Sequence, residues 1–228
     1  MNVHENLQHI SSRIEVAARR SGRNPGDIRI VAVTKHVSAD RIKEVLDTGI
    51  EDLGENRVQE MTTKAELLPP RARWHMIGHL QTNKVKYVVG RVELIHSLDR
   101  WKLAREINRQ ATEQGIIVPT LIQVNVSGED TKFGISASEL MDFLAALQDL
   151  NHVKVKGLMT IAPYVDLPEE TRPFFRELRI LARRCNEKLP DSSLELLSMG
   201  MTNDYEVAVE EGANMLRLGT AIFGARRD

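Results

Sequence analysis

Short apolar runs alternate with longer amphipathic segments along nearly the whole chain of 228 residues. A short apolar run is typical of a buried strand, whereas apolar residues that recur at helical spacing are typical of a helix packed on one face. The apolar runs predict eight strands, at residues 28–33, 52–53, 74–77, 94–96, 119–126, 154–158, 194–197 and 215–218. The amphipathic segments predict an opening helix and further helices near residues 39–48, 56–67, 81–88, 99–114, 136–149, 168–187 and 203–211.

The alternation of strand and helix predicts a parallel sheet, because a crossover helix is the usual way for the chain to reach a parallel neighbour. Eight such units without a Pro- or Gly-rich break favour an α/β fold, a (β/α)8 TIM barrel that occupies residues 1–228 as a single domain. A doubly wound open sheet is the alternative. The segment "VTKHVSAD" after the first strand lacks the glycine-rich fingerprint of dinucleotide-binding sheets, which favours the barrel.

The composition excludes several classes of protein. A hydrophobic share of 42%, a charged share of 28% and a net charge of −1 indicate a soluble globular protein and no nucleic-acid partner. Cys185 is the only cysteine, so an intramolecular disulfide is impossible and a reducing compartment is favoured. The amphipathic N-terminal stretch does not resemble a secretory signal, and no apolar stretch is long enough to span a membrane. We expect a cytoplasmic protein without a membrane partner, and the histidines show no metal-ligand spacing.

Lys35 follows the first predicted strand, in the stretch "VAVTKHVSAD". In a TIM barrel the carboxyl ends of the strands form one mouth, and functional residues gather there. A lysine at this position either extends into solvent or acts as an amine nucleophile that forms a Schiff base with an aldehyde. The lysine by itself does not decide between the two.

A possible anion site follows the seventh predicted strand, in the stretch "SMGMTND". Asn203 and Glu206 have the spacing of a capping box and predict a helix that Gly212 ends. Backbone amides just before such a helix, together with nearby hydroxyl groups, can bind a phosphate. An ordinary glycine turn with a helix cap is the alternative.

The predicted anion site is shared between two loops, since barrels often bind phosphate between the loops after strands seven and eight. Gly219 and Thr220 follow the eighth predicted strand and extend the same rim as Lys35. A lysine and a phosphate site on one rim predict a phosphorylated aldehyde as the ligand. The candidate phosphate-binding residues are Ser198, Gly200, Met201, Thr202, Gly219 and Thr220.

Arg217 lies in an otherwise apolar strand, "MLRLG". A buried guanidinium requires partners. It either pairs with a carboxylate such as Glu195 or donates hydrogen bonds to a ligand. Both interpretations remain open at this level.

Seven motifs in order resemble the pyridoxal 5′-phosphate homeostasis protein family over nearly the whole chain. The resemblance implies a barrel like the N-terminal domain of alanine racemase, with pyridoxal 5′-phosphate (PLP) bound as a Schiff base to Lys35. The motifs are "VAVTKHVSAD", "LGENRVQE", "WHMIGHLQTNK", "IHSLDR", "VNVSGEDTKFG", "GLMTIAP" and "SMGMTNDYEVAVEEGANMLRLGTAIFG".

The same resemblance implies the roles of the other site residues. Arg217 is expected to face the pyridine nitrogen, while Asn56, Met199 and His79 are expected to line the site. His79 is better explained as a rim or packing residue than as a catalytic one. The residues that the resemblance assigns to the phosphate group are those already named in the loops after strands seven and eight, namely Ser198, Gly200, Met201, Thr202, Gly219 and Thr220.

The expected function is to hold PLP reversibly for vitamin B6 and amino-acid homeostasis, with little or no turnover and no catalytic residue. An arginine beside the pyridine nitrogen weakens the ring as an electron sink. Because the chain ends at Asp228, we also expect no second domain to supply the opposing base of a racemase. A PLP-dependent racemase and a Schiff-base aldolase are the enzymatic alternatives, with Glu55 and Asp99 as the aldolase's candidate carboxylates. A regulatory role is a third. We expect a monomer that serves PLP-requiring apoenzymes.

Overall fold

Eight parallel strands close into a barrel in the computed structural model, which describes residues 2–129, 131–189 and 192–224. In chain order the strands are β1 (Arg29–Val33), β2 (Asp52–Glu55), β3 (Arg73–Met76), β4 (Leu94–Leu98), β5 (Val118–Asn125), β6 (Ile135–Ser136), β7 (Val153–Met159), β8 (Leu196–Ser198) and β9 (Met215–Leu218). The order around the ring is β4, β3, β2, β1, β9, β8, β7 and β5, and pairing of β5 with β4 closes it. The short strand β6 pairs with β5 outside the ring.

Helices surround the ring of strands. In chain order they are α1 (Val3–Arg20), α2 (Ala39–Leu46), α3 (Val58–Ala65), α4 (Trp101–Gln114), α5 (Leu140–Leu147), α6 (Arg172–Lys188), α7 (Tyr205–Glu210) and α8 (Thr220–Phe223). Three short 3₁₀ helices span Pro25–Asp27, Thr82–Tyr87 and Pro168–Thr171. None of the helices in the described part of the chain combines the length and the apolar character that a membrane span requires.

The opening helix shows how the sequence determines local structure. Asn2 accepts a hydrogen bond from the Glu5 amide, and the Glu5 side chain accepts one from the Asn2 amide, so a capping box begins α1. The apolar face includes Val3, Leu7 and Ile10, which are all buried. This face packs against α7 and α8.

Side chains alternate between the barrel interior and the layer under the helices, because successive residues of a strand point to opposite faces. In β9, Met215 belongs to the interior apolar cluster, while Leu216 and Leu218 pack in the outer core. The alternation therefore turns Arg217 into the barrel. By the same rule His75 of β3 points inward, between the outward-facing Trp74 and Met76.

The predicted barrel is confirmed, with differences at the ends of some elements. The helix predicted at residues 203–211 begins at Tyr205, and the side chain of the preceding residue, Asp204, does not cap it. The predicted capping box of Asn203 and Glu206 is therefore wrong. The segment predicted at 168–187 divides into a 3₁₀ turn and α6, which carries Pro173 in its first turn. The segment predicted at 81–88 is a 3₁₀ helix. The sequence patterns missed β6 and α8 because both are very short.

Candidate functional site

A cavity of about 510 Å³ opens at the carboxyl ends of the strands. Of the nine residues predicted to bind a cofactor, six line this cavity. They are Lys35, Met201, Thr202, Arg217, Gly219 and Thr220. The structure thus brings together residues that lie up to 185 positions apart in the chain. A groove of about 930 Å³ along α4 contains none of the predicted residues.

Lys35 lies in a tight turn directly after β1, and its side chain is exposed toward the cavity. The next residue, His36, has a φ of 62°, a left-handed conformation that is uncommon for residues other than glycine. The backbone around the turn is held on both sides. The Thr34 carbonyl accepts a hydrogen bond from Lys64 at 2.6 Å, and the His36 amide donates one to Glu60 at 2.6 Å.

A cluster of four residues, Thr34, Glu55, Glu60 and Lys64, forms this support. The Lys64 ammonium contacts Glu55 and Glu60 at 2.7 Å each, and the Thr34 hydroxyl donates to Glu55 at 2.6 Å. Burial raises the pKa of Glu55, although Lys64 and Thr34 oppose the shift. Burial also acts to raise the pKa of Glu60, but hydrogen bonds from Lys64 and the His36 amide outweigh it and lower that pKa. The cluster therefore fixes the turn that presents Lys35.

Arg217 is only 4% exposed and reaches the cavity from inside the barrel. Its guanidinium donates to the Ser198 hydroxyl oxygen at 2.7 Å and to the Thr160 carbonyl at 2.8 Å. Burial lowers the pKa of Arg217 to about 10, a shift that the charge of Asp204 opposes, so the group stays positively charged at neutral pH.

The salt bridge considered for Arg217 does not form. The side chain of Glu195 instead accepts a hydrogen bond from Ser193 at 2.6 Å. Among the described residues, no carboxylate lies within ion-pair distance of Arg217. A guanidinium carries five N–H groups, and two of them have protein acceptors here. Arg217 therefore keeps donors for a ligand.

The loop after β8 turns sharply at Gly200. This residue has a φ of 91°, and a Cβ atom there would lie 2.6 Å from the Cβ of Ala208, so only glycine fits. The Met201 amide donates to the Asp204 carboxylate at 2.6 Å, which partly offsets the burial that raises the pKa of Asp204. The Met201 amide is therefore occupied in this structure.

The neighbouring amides of Thr202 and Asn203 have no acceptor within the described residues. The Thr202 hydroxyl oxygen accepts a hydrogen bond from the Ala221 amide at 3.1 Å, which joins the loop after β8 to the start of α8. Two loops thus present backbone amides and a hydroxyl group to the same side of the cavity. This is the donor chemistry that an anion requires.

Three predicted residues do not line the cavity. Ser198 is fully buried inside the barrel between Arg217 and His96, whose Nδ1 lies 2.9 Å from the hydroxyl oxygen. Gly200 shapes the turn described above. Asn56 lies in the exposed loop after β2, where its backbone passes so close to Gly78 that a Cβ at position 78 would lie 2.5 Å from the Asn56 carbonyl oxygen.

His79 packs at the rim. Its ring stacks on Phe133 with 4.2 Å between the ring centroids, and its Nδ1 lies 3.2 Å from Asp99. Asp99 also pairs with Arg100. Met199, which the resemblance also placed at the site, is completely buried in the core. In residues 2–129, 131–189 and 192–224, no group of three His, Cys, Asp or Glu side chains is arranged to hold a metal ion.

The donor set fits PLP, a ligand with an aldehyde, an acceptor ring nitrogen and a phosphate group. Lys35 offers a primary amine, and Arg217 offers a guanidinium that pairs with no carboxylate in the part of the chain that the structure describes. The loops after β8 and β9 offer backbone amides that have no acceptor in that part of the chain. All of these groups line one cavity. The sequence analysis missed Lys64 and Glu60, although their spacing of four residues on α3 is typical of an ion pair. Their contacts with Thr34 and His36 join residues far apart in the chain, so no local sequence pattern indicates them.

Comparison with known proteins identifies the class of barrel. The family described as "Alanine racemase, N-terminal domain" matches residues 6–227. An alanine racemase of Clostridium difficile, solved in complex with cycloserine, is similar with a TM-score of 0.76 and 16% identity, over 100% of this chain and 60% of that chain. That similarity supports the fold alone. The fold and the site together define an alanine racemase-type barrel with a lysine at its mouth.

Closer relatives narrow the class. A pyridoxal phosphate homeostasis protein of Aquifex aeolicus is 46% identical over 232 residues, covering 100% of each chain. PipY of Synechococcus elongatus PCC7942, solved with PLP bound, is 38% identical with a TM-score of 0.82, over 94% of this chain and 100% of that chain. The chain therefore belongs to the pyridoxal phosphate homeostasis protein family. The predicted resemblance and the predicted fold are both confirmed.

Proposed function

We propose that this protein binds PLP reversibly at the mouth of its barrel and holds it as a Schiff base for vitamin B6 and amino-acid homeostasis. The observation that carries the proposal is that Lys35, Arg217 and the loops after β8 and β9 line a single cavity of about 510 Å³. The close relatives named for PLP homeostasis and the PLP-bound PipY support the same ligand. Residues 1–228 are proposed to act as one PLP-binding domain.

Lys35 is the proposed covalent anchor. Its uncharged amine adds to the aldehyde carbon of PLP, water leaves, and a C=N bond replaces the C=O bond. The bond is reversible by hydrolysis, which suits a protein that stores a cofactor and releases it. The support of the turn by Lys64 and Glu60 fixes the backbone that carries the amine at the cavity wall.

The loops after β8 and β9 are the proposed phosphate site. The amides of Thr202 and Asn203 and the Thr202 hydroxyl are the strongest candidates, with the Gly219 and Thr220 backbone beside them. Gly200 contributes through the turn that only glycine can adopt. Met201 joins the site by its backbone if its amide exchanges Asp204 for the ligand.

Asn56 is proposed to contribute from the exposed loop after β2, where its side chain makes no hydrogen bond to another described residue. That loop contacts the loop after β3 through Gly78, so its position relative to the rim is well defined. A polar contact from Asn56 to the ring substituents of PLP suits its amide, which can donate and accept.

Little or no turnover is proposed, since the residues around the cavity are poorly suited to catalysis. Bound PLP supplies an electron-withdrawing ring, whose strength depends on protonation of the pyridine nitrogen. A positively charged Arg217 at that nitrogen disfavours a second positive charge. The carboxylates considered for an aldolase are engaged elsewhere, because Glu55 is buried against Lys64 and Asp99 pairs with His79 and Arg100.

The deciding experiment is an absorbance spectrum of the purified protein with PLP, before and after borohydride, followed by peptide mass mapping. We expect a visible band that disappears on reduction and a pyridoxyl-phosphate adduct on the peptide that contains Lys35. Lys132→Ala is the matched control, because Lys132 lines the same cavity and should leave the adduct in place. An unmodified, colourless protein contradicts the proposal. An adduct on Lys132 or Lys84 would show that this lysine, and not Lys35, forms the Schiff base.

Release of the cofactor requires its own assay. We propose PLP-requiring apoenzymes as recipients and a monomeric protein in the cytoplasm as the donor. Mixing the loaded protein with an apoenzyme in the presence of a scavenger of free PLP should restore the apoenzyme's activity faster than free PLP does. Equal rates contradict direct delivery, and light scattering of the loaded protein tests the monomer.

A further inference from the structure

Five buried side chains form an unbroken line of hydrogen bonds through the barrel interior. Asp52 Oδ1 lies 3.0 Å from His75 Nε2, and His75 Nδ1 lies 3.0 Å from His96 Nε2. His96 Nδ1 lies 2.9 Å from the Ser198 hydroxyl oxygen, which lies 2.7 Å from Arg217 Nη1. We call Asp52, His75, His96, Ser198 and Arg217 the interior chain. Its members come from β2, β3, β4, β8 and β9.

The two ends of the interior chain determine where every hydrogen lies. A guanidinium can only donate, so Ser198 accepts from Arg217. A carboxylate can only accept, so His75 donates its Nε2 hydrogen to Asp52. With one hydrogen on each ring, His75 accepts at Nδ1 from His96 Nε2, and His96 Nδ1 then accepts the hydroxyl hydrogen of Ser198. Burial, with smaller contributions from His75 and Arg217, lowers the pKa of His96 well below its usual value.

The far end of the interior chain is anchored at the opposite end of the barrel. Asp52 and Arg73 are the first residues of their strands, and the guanidinium of Arg73 contacts both carboxylate oxygens, at 2.9 and 3.1 Å. Burial acts to raise the pKa of Asp52, but hydrogen bonds from His75 and Arg73 outweigh it and lower that pKa. Asp52 is therefore a carboxylate at neutral pH and a fixed acceptor.

Inside the barrel, apolar side chains form a separate buried cluster that includes Val31, Leu94, Leu121 and Met215. A buried polar network is costly unless each member is satisfied, and apolar residues of similar volume would often be as stable. The interior chain therefore invites a functional explanation. Its only member that lines the cavity is Arg217.

We propose that Asp52, His75 and His96 are positioning residues for Arg217. They act through Ser198, which is hydrogen-bonded to both His96 and the guanidinium and does not bind the ligand's phosphate group. Ser198 has one hydrogen and gives it to His96, so none is left to donate to a phosphate. Its oxygen accepts a hydrogen bond from Arg217, which ties the hydroxyl group to the guanidinium. The second acceptor of Arg217, the Thr160 carbonyl, fixes the guanidinium plane. The inference rests on the proposed binding of PLP.

The first test compares two aldehydes, PLP and pyridoxal, which share the ring nitrogen and the aldehyde and differ in the phosphate. We expect Ser198→Ala to shift the absorption band of the bound ligand. We also expect it to weaken the binding of both aldehydes by the same factor, about tenfold. Thr202→Ala is the matched control. It should weaken the binding of PLP but not of pyridoxal, and it should leave the absorption band of the bound ligand unchanged. Selective weakening of PLP by Ser198→Ala, or no change for either aldehyde, overturns the proposal.

The second test distinguishes positioning from a purely structural role. His96→Gln retains an amide oxygen to accept from Ser198 and an amide nitrogen to donate to His75, whereas His96→Leu has neither. We expect His96→Leu to shift the band as Ser198→Ala does and His96→Gln to restore it. A folded His96→Leu protein with a lower melting temperature and an unchanged band overturns the proposal. If His96→Leu does not fold, the Ser198→Ala result decides.

The third test needs no ligand. Side-chain ¹⁵N NMR of the protein without PLP should show both His75 and His96 as neutral rings protonated at Nε2. A ring protonated at Nδ1 contradicts the direction of the interior chain. If the wild-type protein forms no Schiff base with either aldehyde, the proposed function fails. The ¹⁵N chemical shifts of His75 and His96 still test the hydrogen positions in the interior chain, because they need no ligand.

Discussion

The ammonium nitrogen of Lys64 lies 2.6 Å from the backbone carbonyl oxygen of Thr34, the residue before Lys35. The same nitrogen contacts Glu55 and Glu60, so its three hydrogens have three acceptors. Because Lys64 belongs to α3 and does not line the cavity, the turn that carries Lys35 is held from the helix layer. One lysine thus positions another without entering the site.

Lys64→Met should destabilise the protein strongly. It leaves the carboxylate of Glu55 buried without its counter-charge, and losing one partner of a buried ion pair typically costs about 3–5 kcal/mol. Urea unfolding followed by circular dichroism measures the free energy of unfolding. Lys43→Met is the control, because the pair of Lys43 with Asp40 is exposed and should contribute little. Equal losses in the two variants would contradict the importance of the buried cluster.

Lys35→Ala should remove the covalent bond to PLP and leave weak, noncovalent binding at the loops after β8 and β9. Because the Lys35 side chain is exposed, we expect the free energy of unfolding to change by less than about 0.5 kcal/mol. Titration with PLP monitored by absorbance and by protein fluorescence separates the two modes of binding. A retained, borohydride-reducible band would show that another lysine is the anchor.

Arg217→Gln should change the absorption band of bound PLP more than it changes the fold. The substitution breaks no ion pair among the described residues, where the hydrogen-bond partners of Arg217 are the Ser198 hydroxyl and the Thr160 carbonyl. We expect a loss of about 1–3 kcal/mol of stability from acceptors left without a donor. Spectra from pH 6 to 9 and thermal melts measure both effects. A collapsed melting temperature with an unchanged band would favour a purely structural role.

The free energy of unfolding should fall as the pH drops below about 6.5, because His96 is held neutral in the folded protein. The folded pKa of His96 lies below the unfolded value, so between the two values the unfolded state binds more protons. This contribution is complete above pH 6.5 and is lost toward lower pH, by at most about 1.4 kcal/mol per pH unit. Urea unfolding of wild type and His96→Gln between pH 5 and 8 checks it, and identical slopes would refute it.

Much of the fold could be predicted because periodicity is a local property of the chain. The strand at Met215–Leu218 has the predicted bounds, and the other seven barrel strands lie within a few residues of the predicted ones. The capping box at Asn203 was wrong because Asp204 instead accepts from the Met201 amide, a choice made by the geometry of the loop. Motifs indicated Lys35 and Arg217, but not which partners hold them.

The sequence by itself determined an eightfold alternation of strand and helix, a lysine after the first strand and a glycine turn after the seventh. Those features depend on near neighbours in the chain and on residue types that specific backbone conformations require. Only the tertiary structure decided that His96 joins Ser198, 102 positions away, or that Lys64 holds Thr34. Such contacts form because barrel closure brings distant strands together and buries their polar groups, which then must find partners.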